Sequence, residues 1–96
     1  MLEKDIVKAI MSYLKTVPHC FAWKEHGGMY GTAGIPDIIA CVDGRFYGFE
    51  VKTATGKPTG LQEATIRKIL AAGGTALGVR SVDEVRAVLS APCDEH

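Results

Sequence analysis

The sequence predicts an α/β domain: a mixed four-stranded sheet flanked by helices, in the order α-β-β-β-α-β-α. Three observations carry that reading. Apolar residues recur at helical period in the first fifteen residues and again after Thr59. An Asp-Gly pair, Asp43-Gly44, stands between two apolar runs, the strongest short-range hairpin signal a sequence offers. A strand–helix–strand passage over 45–79 follows, and its right-handed crossover makes the two strands parallel. At 96 residues the chain is read as one domain, 1–96, and a chain of that size buries about 60–65% of its unfolded surface.

The first helix is expected over residues 2–15. Leu2, Ile6, Ile10 and Leu14 form its apolar stripe, Val7 and Met11 widen it, and Pro18 stops it. Cys20-Phe21-Ala22-Trp23 is a short apolar run that reads as a strand. His26 to Gly34 holds four glycines in nine residues and reads as a loop; loops of that kind are often functional. Asp37 to Val42 and Arg45 to Thr53 are the strands of the hairpin. Thr53 to Gly60 is a polar, glycine-containing loop. A helix is expected over 60–72, with Thr59 as N-cap and Gln62 at capping-box spacing, ended by Gly73-Gly74. Thr75 to Val79 is a short buried strand. Ser81 and Glu84 form a second capping box that opens a helix through Leu89, and Pro92 to His96 is a tail.

Eleven Lys and Arg against eleven Asp and Glu give zero formal net charge. That excludes a strongly basic, tail-type nucleic-acid binder but leaves room for a local basic face. No apolar run approaches the ~18 residues of a membrane span. The charged start, Glu3-Lys4-Asp5, does not read as a signal peptide, so the expected location is the cytoplasm. Cys20, Cys41 and Cys93 have no CxxC spacing, and His19, His26 and His96 are scattered, so free thiols are expected and no zinc site.

The hairpin fixes where the chemistry lies. With a two-residue turn, Val42 faces Arg45 and Asp37 falls directly opposite Glu50; a symmetric four-residue turn gives the same pairing. Opposed side chains share a face, with Cβ atoms about 4.5–5.5 Å apart. Lys52 points to that face too, along with Ile39, Cys41, Phe46 and Gly48, an apolar set expected to be core. Two carboxylates opposed at a buried sheet end repel, and one is driven to a raised pKa unless a cation lies between them. Oxygen ligands suit Mg²⁺ or Mn²⁺. The bland alternative is a structural ion-pair trio, Asp37–Lys52–Glu50. Two more polar residues weigh against it, because Gln62 and Glu3 both lie on apolar helix faces aimed at the same sheet end.

Gly34-Ile35-Pro36-Asp37, twelve intervening residues and then Glu50-Val51-Lys52 resemble the signature of the PD-(D/E)xK nuclease superfamily, whose restriction-endonuclease-like core has this order of elements. More narrowly, Gly31 to Asp37, Phe49 to Thr53, Gly56 and Thr59-Gly60-Leu61-Gln62 resemble the stand-alone VRR-NUC nucleases of phage and prophage type. The resemblance covers roughly residues 3–89. It implies Asp37 and Glu50 as ligands of a divalent cation, with the Val51 main-chain carbonyl completing the set. It implies Lys52 as the catalytic lysine and Gln62 as the helix glutamine near the site. Glu3 would match the first-helix acid of many relatives, by position alone. Thr59 stands where the family often has serine.

The activity so implied is metal-dependent hydrolysis of DNA phosphodiester bonds, with Lys52 orienting or helping to deprotonate a water and Gln62 orienting Lys52 or the substrate. Candidate DNA contacts are Lys24, Lys57 and Thr59, with Arg67 or Lys68 on the helix. The resemblance further implies a homodimer acting on branched DNA, four-way junctions first, without an organic cofactor. A catalytically silent DNA-binding or regulatory module of the same fold is the alternative; such modules usually lose an acid or the lysine, and all three are present here.

Overall fold

The computed structural model describes residues 2–25 and 33–91. Its elements run α1 (Glu3–Leu14), β1 (Cys20–Lys24), β2 (Ile38–Val42), β3 (Arg45–Val51), α2 (Gly60–Ala71), β4 (Thr75–Val79) and α3 (Val82–Ser90). The predicted order holds. Most of the glycine-rich loop, residues 26–32, and the tail, 92–96, lie outside the described residues, as do His26, Cys93 and His96. No described helix is long and apolar enough to cross a membrane.

The four strands lie in sequence order across the sheet. β1, β2 and β3 are antiparallel, and β4 runs parallel to β3 as the crossover requires. Asp43 and Gly44 both have positive φ, 51° and 79°. That is the turn geometry whose twist matches a right-twisted hairpin. The register follows from it: Val42 pairs with Arg45 and Ile38 with Phe49.

The core occupies one face of the sheet. Ile38, Ala40, Val42, Tyr47, Phe49, Val51 and Val79 point there and meet Ile6, Ile10 and Leu14 of α1 and Val85 of α3. Burying each large side chain contributes about 1.5–3 kcal/mol. Tyr47 and Phe49 stack on that face with ring centroids 5.9 Å apart.

The opposite face departs from expectation. Ile39 and Gly48 are buried there, but Cys41 is exposed and Phe46 is 43% exposed. The cause is coverage. α2 packs against β4 and has no fully buried residue, so it shields only one flank of the sheet. The β1–β2 flank carries Phe21, Trp23 and Cys41 uncovered.

Both predicted helix starts are capped, one with a changed partner. Thr59 and Gln62 form a complete capping box. Ser81 accepts from the Glu84 N–H, but Glu84 reaches one residue further back, accepting from the Arg80 N–H at 2.8 Å.

Candidate active site

β2 and β3 end side by side, and the acids sit at that end. Asp37 directly precedes β2, and its Oδ2 accepts the Val51 N–H at 2.7 Å. The Glu25 N–H donates to the Asp37 carbonyl at 2.8 Å, so the residue is held from both sides. Glu50 is the penultimate residue of β3 and is 1% exposed. Lys52 follows β3 immediately, half-buried, its N–H donating to the Val79 carbonyl at 3.0 Å.

Glycines shape the approach. Gly34 has φ +84°, and a Cβ there would fall 2.9 Å from the Leu61 carbonyl oxygen and 2.8 Å from the Leu61 side chain. A Cβ on Gly48 would fall 2.9 Å from Pro36 Cγ. The segment before Asp37 is therefore seated between α2 and β3 at two positions where a side chain does not fit. Glycine content in the sequence marks a loop; it does not reveal these close approaches.

The electrostatics centre on Glu50. Among the described residues neither of its carboxylate oxygens has a hydrogen-bond partner. Its carboxyl is pushed up to about 8, first by burial and then by the Asp37 carboxyl beside it, through proton sharing and charge. The Lys52 ammonium pulls the other way, and the charge of Glu3 adds to the rise. With both acids ionised there is no donor between them, so an added proton or a cation is what can join the pair. Four residues singled out from sequence thus act on one another here: Asp37, Glu50, Lys52 and Glu3.

A structural trio would show Lys52 ion-paired to an acid. Among the described residues the one ion pair is Arg86–Asp83, on the surface. A cage of three His, Cys, Asp or Glu side chains is also absent among the described residues. The donor set is two carboxylates and main-chain oxygens, all hard oxygen ligands. It suits a cation that keeps several waters, as Mg²⁺ does. The orphaned Glu50 oxygens fit such an ion.

The remaining candidates are spread around this centre. Gln62 is half-buried, and its Oε1 accepts the Thr59 N–H at 2.8 Å, so the cap holds its side chain. Thr59 is exposed and accepts the Gln62 N–H. Lys24, Lys57, Arg67 and Lys68 are exposed. Sequence reasoning missed Arg80, whose guanidinium donates to the Thr53 carbonyl and tethers the segment after Lys52. The two residues are 27 apart, and no local signal joins them. An open apolar hollow lined by Phe46, Ile69, Ala72 and Gly74 lies toward the other end of β3 and offers no titratable group.

No protein-family model and no curated protein matches the chain. Solved structures do. A "VRR_NUC domain protein" aligns with a TM-score of 0.76 at 20% identity, over 93% of this chain and 85% of that one. A second structure, "VRR_NUC domain", gives a TM-score of 0.76 at 19% identity, over 94% of this chain and 97% of that one. Element order, sheet topology and these alignments agree: the chain has the restriction-endonuclease-like α/β fold of the VRR_NUC domain.

Proposed function

We propose that the protein is a divalent-cation-dependent DNA endonuclease that hydrolyses phosphodiester bonds. The observation that carries the reading is Glu50, buried beside Asp37 with both oxygens unpartnered among the described residues and Lys52 within its field. An apolar residue would be far more stable there, so the position reads as one kept for chemistry.

Asp37, Glu50 and the Val51 carbonyl would hold the ion. A bound Mg²⁺ or Mn²⁺ supplies a more acidic water and neutralises charge on the phosphate. Asp37 remains anchored by the Val51 N–H, which keeps its carboxylate aimed at the site. Lys52 Nζ orients the attacking water and meets the negative charge that develops on the phosphate. Gln62, held by its cap, presents its amide as a fixed donor. Glu3 adds negative charge at the rim and assists cation binding indirectly. Lys24, Lys57 and Thr59 are assigned to phosphate contacts.

Zero net charge gives a single copy little grip on a duplex. A homodimer acting on branched DNA, with two sites on one junction, is the form of the reading that resolves this. The test is a gel assay on a labelled four-way junction, a flap and a linear duplex of matched sequence, with Mg²⁺, Mn²⁺ or EDTA. Cutting is expected only with cation. Asp37→Ala and Glu50→Ala are expected to fall to background, and Lys52→Ala by roughly 10²–10³-fold. Cation-dependent cutting by Glu50→Ala at the wild-type rate would overturn the assignment. Sedimentation across micromolar concentrations tests the dimer.

A further inference from the structure

The site-bearing face of the sheet carries an aromatic pair that stands exposed among the described residues. Phe21 is 69% exposed and Trp23 41% exposed, on the edge strand β1. Their strand partners are Cys41 and Ile39, which places both rings on the face of Glu50. The rings form a tilted pair with centroids 5.6 Å apart. The indole Nε1–H donates to Glu25 Oε1 at 3.1 Å, so its one polar group is engaged within the chain and its π-faces are what it offers. Trp23 lies one strand over and two positions along from Asp37, about 8 Å between Cα atoms by strand geometry. Lys24, exposed, follows it directly but pairs with Ile38, so its side chain leaves the strand on the opposite face.

We propose that Phe21 and Trp23 are a stacking platform for unpaired nucleobases next to the cut, so that the substrate is DNA with a single-stranded stretch at the scissile position. The inference rests on the nuclease reading and, among branched substrates, selects flaps and gapped junctions over the fully paired four-way junction. Stacking on exposed aromatics is how sequence-tolerant single-strand binding is built, because every base has a π-face. A paired base keeps its faces inside the duplex and cannot use the platform. A second copy of the chain is the other occupant to weigh. The exposed rings, with Phe46, offer roughly 300 Å² of apolar surface, well short of the ~800 Å² per partner of a stable interface. A copy seated there would also cover the acids.

Trp23 is the one tryptophan of the chain and reports directly. The full chain, held in EDTA at fixed salt, is titrated with a single-stranded oligonucleotide and with its matched duplex while indole fluorescence is followed. Saturable quenching by the single strand is expected, with at least tenfold weaker binding of the duplex. Phe21→Ala is expected to weaken single-strand binding about tenfold, and Trp23→Phe less than Trp23→Ala, read by anisotropy of a labelled oligonucleotide. Equal binding of both nucleic acids, or no quenching, overturns the platform. So does an indole signal that changes with protein concentration alone, which would mark this face as a contact between copies. Because the titration needs no cation, cutting without single-strand quenching overturns the platform alone, and quenching without cutting of any substrate overturns the nuclease reading alone.

Discussion

Glu50 buries a carboxyl group that no donor meets among the described residues, and this makes the fold's stability depend on pH in a definite direction. Its folded pKa is pushed up to about 8 from an ordinary 4.5. A group raised in the folded state favours folding when protonated. The contribution is present in full below the ordinary value and is lost as pH rises toward 8. At pH 7 the metal-free protein forgoes roughly 3 kcal/mol relative to pH 4 from this residue. Thermal unfolding in EDTA is expected to show a higher Tm for Glu50→Gln than for wild type at pH 7, with the gap closing near pH 4.5. Added Mg²⁺ or Mn²⁺ is expected to raise the wild-type Tm and leave Glu50→Gln nearly unmoved. A Glu50→Gln variant less stable than wild type in EDTA at pH 7 would show the carboxylate to be satisfied. The opposition of Asp37 and Glu50 was legible because a two-residue turn leaves the register no freedom. That Lys52 makes no ion pair among the described residues was not, since spacing gives a face and not a distance.

Among the elements, the approach to Asp37 depends on close backbone packing. Gly48→Ala pushes on Pro36, whose neighbour is the acid itself. The expected cost is about 1–3 kcal/mol in urea unfolding, with cation binding by calorimetry weakened as well; unchanged binding would mean that Pro36 moves without Asp37. Gly34→Ala adds a strained positive φ to a contact with the Leu61 backbone and is expected to cost more. At the start of α2, Thr59→Ala removes the side-chain acceptor of the Gln62 N–H, worth about 1 kcal/mol. If Gln62 serves the site through its capped geometry, the same variant also lowers kcat, whereas a purely structural cap changes Tm alone. Capping at both helices could be read from Thr59 and Ser81 because these bonds are local. The choice of Arg80 over Ser81 as the partner of Glu84 depends on where β4 ends, which the local pattern does not encode.

At the scale of the whole molecule the sheet divides labour between its faces. One face, closed by α1 and α3, holds the apolar core; the other holds the acids and, among the described residues, is covered on one flank only. Truncation in the core, Ile10→Ala, is expected to cost about 2–5 kcal/mol while leaving cation affinity per folded molecule unchanged; a matching loss of affinity would show the faces to be coupled. The sequence pattern identified which residues share a face, but it assigned Cys41 and Phe46 to core. Apolar character cannot report which helix covers which flank, because that follows from the lengths of connections and from packing across the sheet. The tight turn at Asp43-Gly44 carries one more consequence. Sliding β3 by a single residue against β2 would send Glu50 to the core face while Asp37 stayed behind. The stretch between the two acids can therefore lengthen or shorten in step on both arms of the hairpin, but not by one residue on one arm. Of all the connections in the chain, this is the one where a single inserted codon would separate the acids without touching either.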